Sequence, residues 1–189
     1  MEYIIIIELA ILITMVLIRS AMLRKKGINA IVFGDTDKTD FFLPPIVLAF
    51  FYTLLVPIFN LPLPEILQIQ FWNIDILNYL AIILCTVCLI WFAITLKIFG
   101  DSFRVGIDEN TTEKLITTGT FALSRNPIYI AMITFFFGVF ISYPTIVSIL
   151  FLIFLSTIIH RQVLREEKFL KGHYGKEFEE YSANVRRYI

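Results

Sequence analysis

The sequence predicts an all-α integral membrane protein with five transmembrane helices, its N-terminus outside and its C-terminus inside. Three observations carry that expectation. The composition is 58% hydrophobic and only 17% charged, with a mean hydropathy of +0.79, far from the balance of a soluble domain. The apolar residues gather into five runs separated by polar or proline-containing breaks. All sixteen Lys and Arg residues fall on one face when five spans alternate, as the positive-inside rule asks.

The first run, 3–23, holds one acid, Glu8, to which no role is given, and at about 1.5 Å per residue it is long enough for a bilayer core of roughly 30 Å. Its basic residues, Arg19, Arg24, Lys25 and Lys26, come only after the apolar stretch 3–18, whereas a cleaved signal peptide carries them before it. The second run, 41–59, contains Pro44, Pro45 and Pro57, which predict a kinked or late-starting helix. A connector, 60–78, with Pro62, Pro64 and an interface-suited Trp72, leads to the third run, 79–99, ended by Gly100. Cys85 and Cys88 lie inside that third run, where they read as helix packing; one pair does not fill a zinc site.

Residues 100–125 form the longest polar segment, with β-like runs at 103–107 and 114–117 that predict a surface hairpin. Asn126-Pro127 then signals a helix start, because an Asn side chain can accept an orphan N–H and Pro at the first helical position loses nothing. The fourth span is 127–142, Tyr143-Pro144 turns the chain, and the fifth span is 145–159. The tail, 160–189, is polar and helical in pattern, broken at Gly175. After it Phe178, Tyr181, Val185 and Tyr188 are spaced three or four apart, an amphipathic helix able to lie on headgroups or fold back as a lid. The chain is thus expected to be one membrane domain, 1–189.

The orientation places the Asn126 helix start, the long polar segment and the tail together in the cytoplasm. The absence of a recognisable targeting segment makes a prokaryotic inner membrane the expected location. Zero net charge, and basic residues not gathered among aromatics, give no case for nucleic acid. No Gly-rich loop follows a strand, so a soluble-type nucleotide site is not expected. No metal is expected either: His160 and His173 read as surface residues without a second cluster.

Two groups of residues stand out on that cytoplasmic face. Arg125 beside the Asn126 helix start is suited to a carboxylate or phosphate, since N–H groups and the positive dipole end converge there. On local signals alone, though, Arg125 reads as one more positive-inside residue and Asn126-Pro127 as a good cap. Glu166 and Glu167 can accept hydroxyls or an ammonium, yet Glu167 also precedes Lys171 by four, a common solvated pair. Arg161 and Arg165, one turn apart on one face, can orient an acceptor carboxylate or phosphate, or simply snorkel to headgroups. Tyr129 suits an interfacial anchor.

Four blocks in order lift the functional reading: F-G-D-S-F-R-V-G-I at 99–107, L-I-T-T-G-T-F-A-L-S-R-N-P-I-Y at 115–129, R-E-E-K-F-L-K-G-H-Y-G-K-E-F-E-E-Y at 165–181 and V-R-R-Y-I at 185–189. In this the C-terminal half resembles the isoprenylcysteine carboxyl methyltransferase and phospholipid methyltransferase superfamily of membrane enzymes. Many members have His where this chain has Asn126. The resemblance implies methyl transfer from S-adenosylmethionine, leaving S-adenosylhomocysteine, to a lipidic or prenylated acceptor reached from the bilayer. It implies cofactor contacts at Arg125, Asn126, Pro127, Tyr129, Glu166 and Glu167, beneath a lid formed by the loop and the tail. To it is added a catalytic set of Arg161, Arg165 and Glu167. The alternatives are a phospholipid amine N-methyltransferase, an NADPH-dependent sterol or enone reductase with a related bundle, and a non-enzymatic membrane interaction subunit.

Overall fold

The computed structural model describes residues 2–25, 43–100 and 115–189. The described residues form helices α1 (Glu2–Lys25), α2 (Leu43–Phe59), α3 (Glu65–Gln68), α4 (Asp75–Phe99), α5 (Pro127–Ser142), α6 (Ile146–Tyr174) and α7 (Lys176–Asn184). A 3-10 turn, Gly119–Ala122, precedes α5. The expected hairpin runs at 103–107 and 114–117 fall largely outside the described residues.

Three helices, Tyr3–Lys25, Asp75–Phe99 and Ile146–Tyr174, are long and apolar enough to cross a membrane, and Pro44–Phe59 and Pro127–Ser142 are shorter apolar helices. The polar tail does not begin a new helix at residue 160. Helix α6 runs unbroken through it to Tyr174, because no proline intervenes and Gly172 keeps a negative φ, whereas Gly175 turns the chain at a φ of +54°. Pro44 and Pro45 sit in the first turn of α2, where they displace no helical hydrogen bond, and Pro57 lies inside its last turn.

Helix α4 is the spine. It packs along α5, with α1 against α4, α6 against α5 and α2 against α6. The α4–α5 approach is close at Gly138, where an added Cβ would stand 2.5 Å from Cys85 Sγ. Cys85 and Cys88 are buried free thiols of this packing. Aromatic rings fill the other seam: Phe50 of α2 stacks on Phe151 of α6 at 3.9 Å, and Phe136 of α5 meets both edge-on. Glu8 is buried between α1 and α4, where Oε1 accepts a 2.5 Å hydrogen bond from Thr86.

The two ends of the bundle are closed differently. At one end the connector before α4 is pinned to the α5–α6 turn: the Trp72 indole donates to the Ile141 carbonyl (3.0 Å), Phe71 N–H to Pro144 (2.8 Å), and Gln70 bridges Thr145. At the other end α7 and the last residues fold back over the start of α5, and the Tyr181 hydroxyl donates to the Phe121 carbonyl at 2.7 Å.

Candidate active site

The candidate site is built on the start of α5. Trp91, two turns inside the far end of α4, donates its indole N–H to the Pro127 carbonyl at 3.0 Å and so fixes where α5 begins. Just ahead of it, three consecutive residues bond the C-terminal segment. Buried Ser124 donates its hydroxyl to the Arg187 carbonyl (3.2 Å), Arg125 N–H donates to Arg186 (3.0 Å), and the Asn126 amide donates to Arg187 (3.0 Å). The expected side-chain cap by Asn126 is not formed. Its amide is turned to the Arg187 carbonyl, while the Ser124 hydroxyl accepts the Asn126 N–H at 3.0 Å.

Over this turn sits a charge cluster. Arg125 donates through Nε and Nη2 to Glu167 Oε1 (3.1 and 2.9 Å), and through Nη1 to the carbonyls of Ser182 (2.9 Å) and Val185 (2.7 Å), which end α7. Glu167 also takes Arg187, from Nε to both oxygens (3.1 and 3.0 Å) and from Nη2 to Oε2 (2.8 Å). One carboxylate is therefore shared by two guanidiniums, with the side chains of Arg125 and Glu167 only 12% and 13% exposed. Charge-assisted bonds of this kind are strong where water is scarce. They hold Arg187 still further above its ordinary range. Lys171, the local alternative partner of Glu167, pairs instead with Glu179 at 3.1 Å on the surface.

The neighbouring acid faces a different way, as a rotation of about 100° per helical residue requires. Glu166 Oε1 accepts from the Tyr129 hydroxyl (2.5 Å) and from Gln162 Nε2 (2.9 Å). No hydrogen bond to Glu166 Oε2 is formed by the described residues. Around the rim, His160 Nδ1 meets the Tyr188 hydroxyl at 2.9 Å, and burial pushes the Tyr181 phenol up to about 12.

Of the residues singled out in the sequence, Arg125, Asn126 and Glu167 come together in one network and Tyr129 with Glu166 in another beside it, with Pro127 setting the helix start between them. Arg161 is exposed and Arg165 half-buried on α6, and neither enters the bonds just described. Two residues of the site were not singled out. Arg187 lies in the closing V-R-R-Y-I block, and Gln162 precedes Glu166 by one helical turn, so both carried a signal.

An apolar helical bundle with three helices able to cross a membrane, and with paired charges folded into one end, has the make-up of an integral membrane protein. The chain belongs to the phospholipid methyltransferase family, whose model matches residues 74–177, more than half of its length. That stretch runs from the start of α4 into α7 and holds every residue of the charge cluster except Arg187. No curated protein and no solved structure matches the chain. The family is one of integral membrane methyltransferases, a class whose usual cofactor is S-adenosylmethionine.

Proposed function

We propose that this protein transfers a methyl group from S-adenosylmethionine to a lipid-borne acceptor at the cytoplasmic face of the membrane, with all of 1–189 forming one five-span domain. The observation that carries the reading is Glu167 held between Arg125 and Arg187, which ties the two family blocks and the C-terminal segment into one site. All sixteen basic residues on one side of five alternating spans support the orientation.

The donor set suits the proposed cofactor. Its amino-acid end is a zwitterion, and Arg125 and Glu167 are a cation and an anion 2.9 Å apart that can exchange partners with it. Bound, the cofactor would supply an electrophilic methyl on a sulfonium. The chain's own work is then to orient the reactants and exclude water. Glu167 and Arg125 hold the amino-acid end, with Asn126, Pro127 and Tyr129 shaping the floor. Arg161 and Arg165 lie along α6 on the acceptor side and can orient a phosphate or carboxylate. For a carboxylate acceptor no base is needed, since opposite charges cancel toward the transition state and a dry site favours that. For an amine acceptor a group must take the proton, and Glu166 Oε2, with no partner among the described residues, is suited to it in a way the doubly clamped Glu167 is not.

The test is transfer of a labelled methyl group from S-adenosylmethionine into the organic extract of membranes carrying the protein. Mild alkali then divides the acceptors: a methyl ester releases its label as volatile methanol, whereas an N-methyl group survives alkali and its label stays non-volatile. Label above background that falls by about a hundredfold in Glu167→Gln agrees with the proposal, because a misplaced reactant costs about that much. Label unchanged in the variant, or absent with every acceptor class, contradicts it.

A further inference from the structure

The end of the bundle away from the site carries a surface that the methyl-transfer reading does not use. The connector 61–76 exposes Ile66, Ile69, Phe71, Ile74 and Ile76, at 70, 59, 53, 48 and 62%. A loop in water would not be expected to display five large apolar side chains in sixteen residues. Helix α4 supplies the depth. From Lys97, its last basic residue, a core of roughly 30 Å is crossed in about twenty residues, which ends near Leu77. The connector is fastened at that level, by Trp72 to Ile141, Phe71 to Pro144 and Gln70 to Thr145.

The connector's backbone is also prepared for scarce water. Pro62 and Pro64 bring no N–H. Leu61 donates to Val56, Leu67 to Pro64 and Phe71 to Pro144, while the Pro62 and Leu63 carbonyls accept from Tyr52 and Gln68 side chains. Such pairing is what a non-helical segment needs where lipid replaces water. On the helices that flank it, Phe59 of α2 and Tyr79, Leu80 and Ile83 of α4 are exposed as well.

We infer that residues 61–76 form an interfacial anchor seated in the headgroup–acyl boundary of the outer leaflet, with the bilayer itself as its partner. No Lys or Arg occurs between Lys38 and Lys97, and the connector's charges are Glu65 and Asp75. Its seating therefore depends on apolar burial and is indifferent to anionic lipid and to salt.

The inference rests on α4 crossing the bilayer, so the test reads both. Single cysteines at Ile69, Phe71, Glu65 and Ile83, placed in a Cys85→Ala/Cys88→Ala background, are labelled with an environment-sensitive fluorophore in zwitterionic vesicles. Shallow spin-labelled lipid is expected to quench the probes at 69 and 71 several-fold more than the probe at 65. Aqueous iodide should show the reverse order, and neither order should change with salt or anionic lipid. Probes at 69 and 71 open to iodide while the probe at 83 is quenched by deep spin label would overturn the anchor alone. Loss of quenching at 83 as well would overturn the span beneath it and the anchor together. Probes at 71 that cross-link between two copies would make a second chain the occupant and overturn the lipid assignment.

Discussion

Glu167 is the residue on which the candidate site turns. Its single carboxylate is shared by Arg125 and Arg187, and Arg125 in turn holds the Ser182 and Val185 carbonyls at the end of α7. Glu167→Ala leaves two guanidiniums without their acid and should cost about 1–3 kcal/mol, less than for a fully buried pair because Arg187 is 38% exposed. Limited proteolysis should then cut within 182–189 faster than in the parent, and an unchanged rate would show that the C-terminal segment is held otherwise. Tyr181 makes a pH prediction. Its phenol is raised from 10 to about 12 mainly by burial, so the folded state keeps its proton where the unfolded chain loses it. Its contribution is present below pH 10 and is lost as the pH rises through 12. Tyr181→Phe should flatten that decline in thermal stability while costing about 1 kcal/mol at neutral pH through the bond to Phe121. At this scale the sequence singled out Arg125, Tyr129, Glu166 and Glu167, which the fold brings together in two neighbouring pairs, but not Arg187, which meets Glu167 only after the chain turns at Gly175 and passes through α7.

At the scale of elements, α4 against α5 is the contact on which the site's position depends, because Trp91 and Pro127 fix the start of α5. Gly138→Ala would normally favour a helix, but here the new methyl meets Cys85 Sγ, and overpacking should cost about 1–3 kcal/mol. Cys85→Ala removes that sulfur, so the double variant should recover most of the loss in a thermal-unfolding cycle, and a strictly additive pair would refute the contact. The helices themselves were legible from hydropathy and proline placement. The fifth span was read over 145–159 and the tail beyond it as helical up to Gly175, and the structure joins the two into one helix that ends at Tyr174. Polarity marks where a helix leaves the lipid, not where it stops. The error concerned Asn126, whose side chain has the chemistry of a cap yet is spent on a carbonyl from sixty-one residues away.

For the whole molecule, the proposed five spans would place Glu65 and Lys176 on opposite sides of the membrane. An impermeant thiol reagent applied to sealed vesicles should therefore modify Glu65→Cys and Lys176→Cys from opposite faces, and modification of both from one face would refute the alternation. Composition made an all-helical membrane protein readable, because insertion energetics act on long averages of the chain; the alternation of five spans is what this measurement decides. The order of four short blocks made the family readable. The acceptor was not readable in the same way, since the groups that would meet it project from α6 without a sequence signature of their own. The central claim is that Arg125 and Glu167 form the S-adenosylmethionine site. The measurement that tests it most directly is calorimetric titration of the detergent-solubilised protein with S-adenosylhomocysteine, run beside Glu167→Ala and Arg125→Ala variants shown by thermal unfolding to be folded, with NADPH as a second ligand. Saturable binding that is lost in both variants, with no response to NADPH, is the predicted result; no binding to the parent protein, or equal binding in both variants, would contradict it.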